Sequence, residues 1–351
     1  MNLDIAKGLL ILLVVIDHND FSRSLFPGFL LGLSFHVAGF LSIPFLKPAR
    51  PLFTREFVQY AFRLYYPFLL VACCTWLALT VAGHADPLAR VGLLLHALAS
   101  GNSALLKAAT GMALLWFLPS FIALIAVRSL LADAPRALRR LALAAVVLIH
   151  PLIGAVAPAV QDYLPLGLLP ALYIVPLALL AVALQRRVFD AMRVLPAVAW
   201  TVLAYGVAKA VQMHLGLYNE IGFALVADFS DLGALAANDA EAVTGTLMVF
   251  QLCRLPLGRL AEVLGQASMQ VYLLHAFVAL ALARLLVRLF PHWPVLALFL
   301  ASLAGTVALT LALARLIVAQ PRLRALVFPR TTGEWKAALA RTRRPGSASS
   351  V

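Results

Sequence analysis

Long apolar stretches separated by short polar links run along the whole chain of 351 residues. Each stretch has about the 20 residues that an α-helix needs to cross the hydrocarbon core of a bilayer. Because a spanning segment must pair its own backbone groups, the stretches are predicted to be helices. The ten predicted spans are residues 3–18, 25–46, 62–83, 111–131, 141–158, 167–184, 194–215, 232–253, 263–287 and 295–319.

Composition supports this fold class. Hydrophobic residues make up 63% of the chain and charged residues 12%, and the mean hydropathy is +0.95. A water-soluble core cannot hold so large an apolar fraction, so the chain is predicted to be an all-α multi-pass membrane protein. The first stretch is predicted to be a retained span, because a polar cluster at residues 17–20 follows its apolar core where a secretory signal would have a small-residue cleavage site.

The distribution of basic residues predicts the orientation. Most of the 28 Lys and Arg residues lie in the second, fourth, sixth and eighth links and in the C-terminal tail, as the positive-inside rule expects of cytoplasmic segments. The link 216–231 instead carries Glu220, Asp228 and Asp231 and no basic residue. Both termini are therefore predicted to be cytoplasmic. The same sidedness accounts for the net charge of +13, so nucleic acid is not an expected partner.

Two regions are predicted: a membrane domain over residues 1–330, and a basic, disordered cytoplasmic tail over residues 331–351 that contacts anionic lipid. The cysteines, at positions 73, 74 and 253, have neither a disulfide framework nor metal-ligand spacing. We therefore expect no metal site and no permanently bound cofactor.

Ionisable residues at membrane depth are costly and commonly mark functional sites. Lys7 and His18 are eleven residues apart, which is close to three helical turns, so they share one helix face about 16 Å apart. His36 lies near the middle of the second predicted span. A further polar stripe on one face of the ninth predicted span is formed by Gly265, Ser268, Tyr272 and His275.

Five short motifs, in this order, resemble the integral-membrane acyltransferase family three. They are "LDIAKGLLILLVVIDH", "SFHVAGFLSIPF", "FRLYYPFLL", "LLWFLPSF" and "LGQASMQVYLLH". Two positions depart from the family pattern: Lys7 stands where arginine is usual, and Ala61 stands where a second arginine often precedes Arg63. The resemblance covers nearly the whole chain and is to the stand-alone form, without an appended extracytoplasmic domain.

The resemblance implies a cytoplasmic acyl-coenzyme A donor and a sugar hydroxyl as acceptor on the outer side. Lys7 and Arg63 would then bind the donor phosphates. His18 would act as the general base or become acylated as a covalent carrier, and the residues leave both routes open. Trp116 would stack on the acceptor sugar, although an interfacial anchor is the favoured interpretation of this residue. The residues expected to line the pore or to stabilise an oxyanion are His36, Ser268, Tyr272 and His275.

The function expected from these features is transfer of an acetyl group from acetyl-CoA to an exported glycan, an exopolysaccharide or lipopolysaccharide unit, in a bacterial inner membrane. The expected partners are membrane lipid, acyl-CoA, a glycan or lipid-linked oligosaccharide, and glycan assembly machinery. Two alternatives stay open: succinyl transfer to a periplasmic glucan, and proton-coupled transport of a glycan or lipid. The motif order and the lack of an internal repeat both disfavour the transporter.

Overall fold

The computed structural model describes residues 1–26, 35–82, 87–160, 163–215 and 232–342. These residues are mostly helical, and no β-strand occurs among them. Short 3₁₀ segments cover Ile43–Leu46, Ala113–Trp116 and Pro165–Gly167, and a π-helical turn covers Gln185–Phe189. The α-helices are α1 (Leu3–Asp17), α2 (Ser22–Leu25), α3 (Phe35–Ser42), α4 (Arg55–Val81), α5 (Pro87–Ser100), α6 (Ser103–Thr110), α7 (Phe117–Asp133), α8 (Arg136–Val160), α9 (Leu168–Leu184), α10 (Val194–His214), α11 (Leu232–Leu252), α12 (Arg259–Gln266), α13 (Ser268–Leu289), α14 (Val295–Ala319), α15 (Pro321–Val327) and α16 (Thr332–Thr342).

Six segments in the described part of the chain are long and apolar enough to cross a membrane, which confirms an all-helical, multi-pass membrane protein. The count of ten spans and the cytoplasmic position of both termini stay predictions. The acidic link 216–231 and residues 27–34 of the second predicted span lie outside the described residues. The six segments are Arg55–Val81, Ala113–Asp133, Pro165–Phe189, Val194–His214, Ser268–Leu289 and Val295–Ala319.

The ninth predicted span is not one continuous helix. It is interrupted at Ala267, whose φ of −95° and ψ of 11° separate α12 from α13. Gly265 therefore does not belong to the same α-helix as Ser268, Tyr272 and His275, although Gly265 and His275 both lie against α1 or its end. The interruption lets the two halves follow different neighbours, because α12 packs along α1 whereas α13 packs mainly along α14.

Two helices, α5 and α6, form where the sequence predicted only a link between the third and fourth spans. Asn102 caps the start of α6, since its side chain accepts hydrogen bonds from the backbone N–H groups of Ala104 and Leu105. Gly111 ends the same helix with a φ of 75°, the left-handed conformation that favours glycine. Local capping therefore orders a segment that hydropathy alone did not identify.

The prediction of a disordered tail is wrong for residues 332–342, which form α16. The ring of Trp335 lies 6.0 Å from that of Phe62 and 5.5 Å from that of Tyr66, both on α4. This aromatic contact, which no local sequence pattern indicated, holds α16 against the bundle. Residues 343–351 lie outside the described residues.

The closest helix pair is α1 with α12, and glycines make that contact. A Cβ atom added to Gly8 would lie 1.8 Å from the carbonyl oxygen of Ala261, and one added to Gly265 would lie 1.7 Å from that of Asp4. A Cβ atom leans toward the N-terminus of its own helix, and each contacted carbonyl lies one turn before the facing glycine. Because residue 18 also meets residue 275, ten positions after Gly8 and Gly265, the two segments run parallel, with Gly8 opposite Gly265 and the backbones in direct contact.

Candidate active site

His18 and His275 come together at the end of α1. Their ring centroids are 5.3 Å apart and their ring planes are inclined by 87°, an edge-to-face arrangement. His18 lies ten residues after Gly8, and His275 lies ten residues after Gly265, beyond the break at Ala267, so the two segments keep the same direction from the glycines to the imidazoles. The sequence indicated both histidines but not their contact.

Among the described residues, the His18 ring forms its hydrogen bond through Nδ1. Its Nδ1 lies 2.9 Å from the carbonyl oxygen of Val14. A carbonyl only accepts, so Nδ1 carries the hydrogen and, in the neutral ring, Nε2 keeps a lone pair. The Asp17 carboxylate lies 3.6 Å from Nδ1, beyond a normal hydrogen bond, so Val14 rather than Asp17 orients the ring. The His18 side chain is 35% exposed and therefore accessible to a substrate.

His275 is wholly buried, with 0% of its surface exposed. Its Nδ1 lies 2.7 Å from the carbonyl oxygen of Tyr272 and 3.1 Å from that of Val271, so this nitrogen is also the protonated one. Its Nε2 has no hydrogen-bond partner among the described residues. The pair therefore consists of an accessible imidazole beside a buried one, each with an unused lone pair on Nε2.

An aromatic row connects the segment before α7 to this pair. The hydroxyl of Tyr272 donates a hydrogen bond to the carbonyl oxygen of Leu114. The Tyr272 ring lies 5.3 Å from Phe117 and 6.1 Å from His275. Trp116 packs edge-to-face on Phe117 and is only 6% exposed. Because Trp116 faces the protein interior, its interpretation as an interfacial anchor is wrong.

Two other predicted residues lie elsewhere in the bundle. Ser268 is the first residue of α13, seven residues or about 10 Å along the axis from His275. The structure therefore separates its hydroxyl from the imidazoles. His36 is buried in α3, a helix that packs against α9 and α11 as well as α1.

The basic residues predicted to bind the donor each have a partner. Lys7 forms an ion pair with Asp4, one turn earlier on α1. The Arg63 guanidinium lies 5.5 Å from the centre of the Tyr60 ring, and Arg50 lies over the same ring at 4.5 Å. Sequence reasoning assigned no binding role to Arg50, which lies five residues before the start of α4. The donor-binding role of Lys7 and Arg63 stays a prediction.

Sequence reasoning also missed Asn19, the residue after His18. Asn19 is 2% exposed, and its Oδ1 accepts a hydrogen bond of 3.0 Å from the backbone N–H of Phe21. Its carbonyl accepts a hydrogen bond of 2.6 Å from the Ser22 hydroxyl, which tightens the turn into α2. The side-chain Nδ2 is buried without a hydrogen-bond partner in the described part of the chain. An unused N–H donor is therefore held one residue from His18.

A buried charged network joins α10 to α11. Lys209 and Glu241 are 2% and 0% exposed, and the Lys209 ammonium lies 3.4 Å from the Glu241 carboxylate. The ammonium also donates to Gln212 at 2.8 Å, and the Gln212 amide donates to Asn238 at 2.8 Å. The signal was present in the sequence, because each charge lies well inside a predicted span.

Comparison with known proteins places the chain in a family. No curated protein and no solved structure matches it significantly. The acyltransferase domain of acyltransferase family 3 matches residues 2–315, which include both imidazoles and most of the helical bundle. This match covers nearly the whole chain and confirms the resemblance found in the five motifs. The chain therefore belongs to acyltransferase family 3 and is a membrane acyltransferase.

Proposed function

We propose that the protein transfers an acetyl group from cytoplasmic acetyl-CoA to a sugar hydroxyl of an exported bacterial glycan. The observation that carries this proposal is the pair of His18 and His275. His18 combines an accessible ring with a lone pair on Nε2, which suits proton abstraction from an alcohol. The family match supports acyl transfer, and the donor, the acceptor and the bacterial inner membrane are part of the proposal.

The reaction balances with one base. The acceptor hydroxyl oxygen bonds to the thioester carbonyl carbon while Nε2 of His18 takes the hydroxyl proton. The tetrahedral intermediate then collapses, the carbon–sulfur bond breaks, and the imidazolium returns the proton to the departing thiolate. The products are a sugar ester and free coenzyme A, and no net proton is released.

His275 and Asn19 support different parts of this reaction. The neutral His275 ring, with its free lone pair beside His18, favours the imidazolium that His18 becomes. Because that free nitrogen accepts, neutral His275 does not donate a hydrogen bond to an oxyanion. The Tyr272 hydroxyl is already bonded to Leu114. The unpartnered N–H of Asn19 is therefore the better donor for the developing oxyanion.

The donor would lie along α1, with its phosphates near Lys7 and its thioester near His18. Arg50 and Arg63, which share the Tyr60 ring, add two guanidinium groups that are well suited to phosphate. The acceptor would be an exopolysaccharide or lipopolysaccharide unit, delivered as a lipid-linked oligosaccharide or by the glycan assembly machinery. A succinyl donor would use the same base and the same steps.

Proton NMR of surface and exported glycans tests the proposal in three strains: one lacking the protein, one with it restored, and one with His18→Ala. Acyl signals should vanish on deletion, return with the wild type and stay absent with a well-expressed His18→Ala protein. The mass added to the glycan separates acetyl from succinyl. Equal acylation in every strain, with a change in glycan yield or location, would instead favour transport.

A further inference from the structure

A second cluster of acid–base side chains lies on α8, α9 and α11, helices that carry neither imidazole of the candidate active site. The Asp239 carboxylate joins the cluster through both of its oxygens. Its Oδ2 lies 2.8 Å from Nε2 of His150, and its Oδ1 accepts a hydrogen bond of 2.7 Å from the Tyr173 hydroxyl. The His150 and Tyr173 rings are stacked, with centroids 4.5 Å apart and planes inclined by 21°.

His150 has one unused nitrogen. Its Nε2 donates to Asp239, so in the neutral ring Nδ1 is an acceptor. His150 is 8% exposed, and its Nδ1 is buried without a hydrogen-bond partner among the described residues. Leaving such a group unpaired is costly, so the atom calls for a partner that donates.

The acceptor positions of the cluster match a ligand with neighbouring hydroxyl groups. A carboxylate offers about four lone-pair positions, and Asp239 uses one on each oxygen within the cluster. The Asp239 side chain is 22% exposed, which leaves room for a second donor beside the one that Nδ1 would accept. In the described part of α8 and α9, His150 Nδ1 is the only unpartnered buried side-chain atom.

The position of the cluster agrees with an acceptor on the outer side. In the predicted topology α8 ends, and α9 and α11 begin, at the outer surface. Tyr173, Asp239 and His150 then lie about 8 to 15 Å along the helices from those ends.

We propose that His150, Asp239 and Tyr173 form a hydroxyl-binding subsite, separate from the imidazole pair, that holds a sugar unit of the glycan acceptor. This inference rests on the proposed function for the identity of the ligand. Nδ1 of His150 accepts one sugar hydroxyl, and the spare lone pairs of Asp239 accept a neighbouring one. Tyr173 positions the carboxylate and stacks on His150.

His150→Gln separates binding from a structural role. The glutamine amide N–H can replace Nε2 as the donor to Asp239, but glutamine has no atom at the position of Nδ1. In purified protein supplied with acetyl-CoA and the exported glycan fraction of the same cells, the KM for glycan should rise about fivefold to tenfold, as expected for one lost hydrogen bond. The kcat should stay within twofold. The matched control is His292→Gln, which changes an exposed histidine between α13 and α14.

An unchanged KM for glycan in folded His150→Gln would overturn the subsite and leave the proposed function standing. If His150→Gln does not accumulate, wild-type protein labelled with ¹⁵N-histidine gives the second readout. The exported glycan fraction should move the Nδ1 resonance of His150 and not that of His292, and an unmoved His150 resonance would overturn the subsite. The resonance reports binding and needs no turnover. A shifted His150 resonance in a protein that acylates no glycan would therefore reject the proposed function and keep the subsite.

Discussion

Gly8 lies directly opposite Gly265, and the absence of a side chain on either residue lets α1 and α12 pack backbone against backbone. The two helices are parallel, and His18 meets His275 ten residues later, beyond the break at Ala267. The contact between Gly8 and Gly265 therefore fixes where α1 lies relative to the start of α13 and so contributes to the separation of the imidazoles. The backbone packing of α1 against α12 thus contributes to the geometry of a polar site one helix further along.

Gly8→Ala or Gly265→Ala should lower acyl transfer by about 100-fold, the cost expected when catalytic groups shift by about 1 Å. The added Cβ would lie 1.8 Å or 1.7 Å from a backbone carbonyl oxygen, so the helices must separate. Initial rates on glycan, normalised to folded protein, measure the effect. Gly206→Ala is the matched control, because a Cβ there would meet nothing within 4 Å. Wild-type rates in both Gly8→Ala and Gly265→Ala would contradict the claim that these two glycines help to set the separation of His18 and His275.

His18→Asn should reduce kcat by about 10² to 10⁴, the range expected for loss of a general base. The asparagine amide can keep the hydrogen bond to the Val14 carbonyl but has no atom in place of Nε2. The thermal midpoint of the purified protein should therefore change little. Substantial activity in this variant would show that Nε2 is not the base.

Asn19→Asp should lower kcat by about 10² to 10³ with little change in the KM for glycan, because the variant loses the N–H proposed to stabilise the oxyanion. The aspartate oxygen can still accept the hydrogen bond from the backbone of Phe21. Steady-state kinetics on the purified protein separate the two constants. A rise in KM at unchanged kcat would place Asn19 in ground-state binding instead.

Glu241→Met should destabilise the bundle by about 3 to 5 kcal/mol, because it leaves the buried Lys209 ammonium without its carboxylate. Lys209→Met combined with Glu241→Met should recover most of that loss, since an apolar pair of similar volume avoids the desolvation cost. Equilibrium unfolding of all variants in one detergent measures the difference. If the double variant lost as much unfolding free energy as Lys209→Met and Glu241→Met lose together, the two side chains would not be coupled.

Acid should release α16 from the bundle. Burial raises the pKa of Glu334, but hydrogen bonds from the Arg330 backbone and the Arg324 guanidinium outweigh burial, so the pKa lies below its usual value. A depressed pKa gives stability that is present above the unfolded value of about 4.3 and is lost as the pH falls through the folded value. Trp335 fluorescence, taken as wild type minus Trp335→Phe, should change in that acid range. Glu334→Gln should remove the transition.

Hydropathy predicted the helical membrane fold, because it depends on properties of a short segment. The contact between His18 and His275 could not be predicted in this way, since it depends on glycine packing between segments far apart in sequence. The break at Ala267, after which α12 and α13 follow different neighbours, was likewise not predicted from the local sequence. Asn19 was missed because only the fold of its turn buries its amide. Lys209 and Glu241 could have been found from their depth in the predicted spans.

The short length of α1 has a consequence for the surrounding lipid. Its 15 residues extend about 22 Å, whereas the hydrocarbon core of a typical bilayer is about 30 Å thick. In the predicted topology, in which α1 is the first span, His18 at its end would therefore lie below the plane of the lipid headgroups unless the bilayer thins around α1. The thickness of the host membrane then becomes part of the reaction geometry, because it sets how far a hydrophilic acceptor must descend to reach the imidazole.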